Sequence, residues 1–158
     1  MEQKENSALT AEEYEETVER LLEEPYHVID FLPVQVPADS GGQYFAAEDF
    51  YREHTQRRRL YRKFADILLG LNCYHDLVVT DGRIWETNPP PGELYGKIEN
   101  CPENGFLNIL IGNGDSLITL IGGDLYLTLY RATGELLQLT EKLASARGLF
   151  VREGNSIN

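Results

Sequence analysis

Apolar residues at Ala11, Tyr14, Val18, Leu21 and Leu22 recur at helical spacing, with Glu12, Glu15, Glu16, Glu19 and Glu23 filling the other positions. Thr10-Ala11-Glu12-Glu13 is a capping-box pattern ahead of that stripe, and Pro25 ends it, so a first helix is expected from about residue 10. Tyr26 to Leu32 is short, apolar and β-rich, the pattern of a buried strand closed by Pro33. Residues 34–43, with Pro37 and Gly41-Gly42, read as loop. A second helix is then predicted as one piece from Phe45 to Leu71, on the stripe Phe50, His54, Arg57, Tyr61, Phe64, Leu68 and Leu71.

Asp81-Gly82 lies between two β-rich runs, 73–80 and 83–87, and predicts a two-residue type I′ hairpin with Val78 opposite Trp85. Residues 88–105, with Pro89-Pro90-Pro91-Gly92, read as a long irregular connection. Phe106–Ile111, Ser116–Ile121 and Leu125–Arg131 form three further strands joined through glycine-rich turns. A last helix covers 134–146, and 149–152 can return as an edge strand. The order α-β-α-β-β-β-β-β-α-(β) indicates an α+β fold: a mainly antiparallel sheet of five or six strands, one face packed by two or three helices. A flexible tail at 1–9 and one domain over 10–154 complete this reading.

Charge changes the picture because it is unevenly placed. Net charge is −12, yet Arg52 to Lys63 alone carries +5. Residues 1–24 carry −7, 25–51 carry −4 and 64–158 carry −6. Projected on a single helix, Arg52, Arg58, Arg59, Arg62 and Lys63 share the side opposite Phe64, while Arg57 falls near the apolar stripe and is expected to pair with Glu53. That basic face can bind an anion or RNA, or be neutralised within the molecule, for which the glutamate-rich first helix is the nearest candidate. The overall acidity opposes nucleic acid and anionic lipid and favours a basic protein partner.

Catalytic signatures are sparse. None of the serines sits in a G-x-S-x-G elbow, and no HExxH or DxD loop supports a metal, so neither cofactor nor metal is expected. Cys73 reads as a small core residue and Cys101 as the more exposed thiol, with no CxxC pair. His27 and Asp30 point to opposite faces of a strand. An enzyme would need a site assembled in space from residues such as His54, His75 or Asp30. With no basic-then-apolar leader pattern at the N-terminus and no long apolar run, a cytoplasmic protein without a membrane span is expected. The reading that fits best is a non-catalytic binding protein, of the immunity or inhibitor type, whose acidic helix (Glu12, Glu15, Glu16, Glu19, Glu23) meets a basic partner.

Overall fold

The computed structural model describes residues 9–154; of the expected tail, all but Leu9 lies outside them. Helix α1 (Ala11–Leu21) precedes strand β1 (Tyr26–Asp30), helices α2 (Tyr44–Arg52) and α3 (His54–Asn72), and strands β2 (Leu77–Thr80) and β3 (Trp85–Thr87). Helix α4 (Pro91–Glu99), the meander β4 (Phe106–Ile111), β5 (Ser116–Ile121) and β6 (Leu127–Tyr130), helix α5 (Gly134–Ser145) and strand β7 (Phe150–Glu153) follow. The strands form one antiparallel sheet in the order β3-β2-β4-β5-β6-β1-β7. The α+β class is as expected, with seven strands instead of five or six and five helices instead of two or three.

The main core lies on one face. Leu60, Tyr61, Phe64, Ala65, Ile67, Leu68 and Leu71 of α3 meet Ile29, Leu77, Val79, Ile109, Ile118, Leu127 and Leu129 of the strands. Burying each such side chain fully contributes about 1.5–3 kcal/mol, which makes this contact the largest single source of stability. The second face is also covered, though only in part. Val18 and Leu21 of α1 pack on Val78, Leu110 and Leu117, and the Tyr14 ring stacks on Trp85 at 5.0 Å. The capping box that starts α1 is formed as its sequence suggests: Glu13 N–H donates to Thr10 Oγ1 (3.1 Å) and Thr10 N–H to Glu13 Oε1 (2.9 Å). Leu22, which belongs to the predicted stripe, is exposed at the C-cap of α1.

Four sequence expectations need correction. The single long helix is two: Glu53 is extended (φ −60°, ψ 140°) and caps α3 by accepting the Gln56 N–H. The stripe runs unbroken across that joint, so periodicity does not reveal it, and Phe50 ends exposed instead of in the core. The 88–105 connection contains α4, begun by Pro91 at its first turn and buried through Leu94 and Ile98, four residues apart. Its prolines and glycines lower intrinsic helix propensity, and packing on α3 overrides them. In the β2–β3 hairpin Thr80, not Val78, lies opposite Trp85. A type I′ turn needs positive φ at both central residues, and only Gly82 has it (102°); Asp81 instead accepts the Arg83 N–H in a wider turn. The slip is by two residues, so each side chain keeps its face. Finally, the thiols are exchanged: Cys73 caps the exposed end of α3, and Cys101 is buried.

Tyr61 ties α3 to the β5–β6 turn. Its hydroxyl donates to the Asp124 carbonyl (2.6 Å) and accepts the Gly123 N–H (3.1 Å). Tyr61→Phe leaves both backbone groups unpaired, and an expected loss of about 1–3 kcal/mol is measurable by urea unfolding. A variant within about 0.5 kcal/mol of the wild type would contradict this role.

Candidate functional site: an acidic, tyrosine-lined cleft

Because α1 covers the second face from β3 to β5, the other part, over β6, β1 and β7, is open. A cleft of about 1040 Å³ lies there. Its floor comes from strand positions whose alternate neighbours enter the core: Tyr26, Val28 and Asp30 on β1, Tyr126, Thr128 and Tyr130 on and beside β6, and Arg152 on β7. One wall is the end of α1 with Leu22, Glu23 and Glu24; the other is the 31–36 segment with Tyr44, Glu48 and Arg52 of α2. The Tyr26 and Tyr130 rings pack at 5.7 Å, and a Cβ on Gly154 would run into the Tyr26 ring, so glycine there lets the ring lie across the sheet edge.

The wall formed by α2 is unusual in that no α2 residue is buried. Phe45 is 72% and Phe50 55% exposed. The helix is held instead by aromatic contacts, Phe31–Tyr51 at 4.6 Å, and by Arg57. The buried Arg57 guanidinium donates to the Arg52 carbonyl at the end of α2 (3.1 Å) and to Glu103 (3.0 Å). This corrects the expected pairing with Glu53, which is occupied in capping α3. A cation at a helix C-terminus satisfies a free carbonyl and complements the helix dipole. Glu103 is brought within reach by the 102–105 turn, packed so closely on β5 that the Pro102 carbonyl fills the place of a Cβ on Gly122.

Two carboxylates of the cleft, Asp30 and Glu48, are paired within it. Asp30 accepts from Arg152 (2.9 Å) and from the Phe31 N–H (2.7 Å). Glu48 accepts from the Tyr44 hydroxyl (3.0 Å) and from Arg52 (3.4 Å). Burial raises the Tyr44, Tyr126 and Tyr130 hydroxyls above the usual phenol range, with further upward pushes from Glu48, Asp124 and Tyr26 respectively. These rings therefore stay neutral at ordinary pH and act as hydrogen-bonding, electron-rich walls. Four carboxylates (Glu23, Glu24, Asp30, Glu48) face two guanidiniums (Arg52, Arg152), a net of −2.

The basic island is divided between two helices. Arg52 belongs to α2 and lines the cleft. Arg58 (3.0 Å) and Arg62 (2.6 Å) converge on Glu99 of α4, and Arg59 donates to Gln56. Lys63 is exposed on α3. The neutralising partner is thus α4, not α1, which lies across the sheet. Glu12, Glu15, Glu16, Glu19 and Glu23 are all exposed, and no ion pair among the described residues engages them; Glu15 accepts from Trp85 Nε1 (3.2 Å).

Comparison of the chain with protein-family models, curated proteins and solved structures finds no match. No group of three or more potential metal ligands occurs among the described residues, and none of their helices is long and apolar enough to cross a membrane. Of the residues considered for a spatially assembled enzyme site, Asp30 lines the cleft, whereas His54 and His75 do not. Period-two alternation in Tyr26-Val28-Asp30 and Tyr126-Thr128-Tyr130 places each triplet on one face, but only the strand pairing brings the two triplets together.

The Arg62 hydrogen bond, aided by Arg58, holds the Glu99 carboxyl below its ordinary value of 4.5. The unfolded chain therefore takes up this proton first on acidification. The contribution is present above about pH 4.5 and is lost as pH falls through the lowered folded value. Thermal midpoints between about pH 5 and pH 3 should fall less steeply for Glu99→Gln than for the wild type; parallel profiles would contradict the pairing.

Proposed function

We propose that this chain is a non-catalytic binding protein that meets a basic protein partner through the acidic outer side of α1, in the manner of an immunity or inhibitor protein. The observation that carries the reading is the segregation of charge. Arginines of the basic island are largely engaged on the chain's own acids, Arg52 on Glu48, Arg57 on Glu103, and Arg58 and Arg62 on Glu99. The α1 glutamates at 12, 15, 16, 19 and 23 remain outward and outside any ion pair among the described residues. Such a surface steers and orients a cationic partner, and its effect weakens with salt. The reading of Arg52, Arg58, Arg59, Arg62 and Lys63 as an anion or RNA site has less support, because Glu99 already occupies two of its guanidiniums.

Polylysine serves as a probe of the surface, with single-stranded RNA as its opposite. At low salt the wild type should bind polylysine and not RNA. Glu16→Lys with Glu19→Lys should weaken polylysine binding about tenfold more than Glu135→Lys with Glu141→Lys, the same charge change on α5. Equal losses from the two pairs, or tight RNA binding that Arg58→Glu with Arg62→Glu abolishes, would overturn the proposal.

A further inference from the structure

The acidic side of α1 does not stop at the helix end. Glu23 belongs both to that exposed series and to the cleft wall, with Glu24 beside it. Neither carboxylate is held in an ion pair among the described residues, whereas Asp30 and Glu48 deeper in the cleft already hold Arg152 and Arg52. A cation drawn to α1 thus meets a series of carboxylates, interrupted by the exposed Arg20, that leads into the open half of the sheet face. What it meets inside is aromatic: Tyr26, Tyr44, Tyr126 and Tyr130.

Resting on the reading of a basic partner, we infer that the cleft is the specificity site of that contact and takes an arginine side chain presented by the partner protein. Three features favour a guanidinium. A planar cation stacks on a tyrosine face more readily than an ammonium does, and it is more weakly hydrated. The cleft already holds two guanidiniums of the chain itself, each against a carboxylate at 2.9 and 3.4 Å, so the local chemistry suits that group. Its remaining charge after those two pairs comes from Glu23 and Glu24, which sit where an incoming side chain would pass. The volume of about 1040 Å³ accommodates a side chain together with the backbone that carries it. On the far wall, the exposed Val34 offers apolar area for the partner's flanking residues. A second copy of this chain suits the cleft less well, since each copy carries −12.

The probe is a hexa-arginine peptide, compared with hexalysine, by calorimetry at low salt. Wild type should prefer hexa-arginine. Tyr126→Leu with Tyr44→Leu, which keeps apolar side chains and removes two of the four π faces, should weaken hexa-arginine about tenfold and reduce the preference over hexalysine. Circular dichroism and thermal midpoints of the double variant verify that it is folded, and Tyr126→Leu alone, at a solvent-facing position, provides a milder version of the same test. If Glu16→Lys with Glu19→Lys weakens the peptide and the tyrosine changes do not, the cleft inference falls while the acidic-helix proposal stands. If only the tyrosine changes matter, the helix proposal falls and the cleft remains. No binding of either peptide removes both. A wild type that sediments as a dimer, and a tyrosine variant that does not, would assign the face to self-association and overturn the arginine site.

Discussion

Burial of the α3 stripe against one face of the sheet is the contact on which the remaining structure depends. It fixes the direction of every α3 side chain, and so it decides the fate of the basic island. With Phe64, Leu68 and Leu71 inward, Arg58 and Arg62 are turned to the flank where α4 supplies Glu99. Arg57, one step toward the core, is too buried to be left unpaired, and it spans the end of α2 and Glu103. A concentration of positive charge in the sequence becomes a set of structural clamps.

The same constraint produces the cleft. One face of a seven-stranded sheet, about 30 Å across at the usual strand spacing, is occupied by α3 with its neighbours α4 and α5. Only α1 remains for the central part of the other face, and its 11 residues make a rod about 16 Å long. It covers Val78, Leu110 and Leu117 and leaves β6, β1 and β7 to a tyrosine-rich surface bounded by the loosely seated α2. The shortage of helix on that face, together with the acidity of the one helix present, defines where a partner can be received.

Much of the fold is legible from sequence where local signals and packing agree. The capping box at Thr10, the meander from Phe106 to Tyr130 and the paired hydrophobic periods all survive in the structure. What is hidden depends on distant residues. The break at Glu53 lies within an unbroken stripe, and α4 exists because Leu94 and Ile98 have α3 to pack on. The exposure of Cys73 and burial of Cys101 likewise follow from where helices end, not from their neighbours in sequence. Of the candidate site, the outward glutamates are visible in a helical projection. The cleft is not, because its floor joins β1 to β6 and β7 across about a hundred residues or more, from Tyr26 to Tyr130 and from Asp30 to Arg152.

The central claim, that the open half of the second sheet face is where a cationic partner is received, is tested most directly by mapping backbone amide shifts during titration with the hexa-arginine peptide at low salt. Shifts gathered at Glu19–Glu24, Tyr26–Asp30 and Tyr126–Tyr130, with α5 silent, are the predicted result. Shifts gathered on α3 and α4, or spread evenly over every acidic patch, would contradict it.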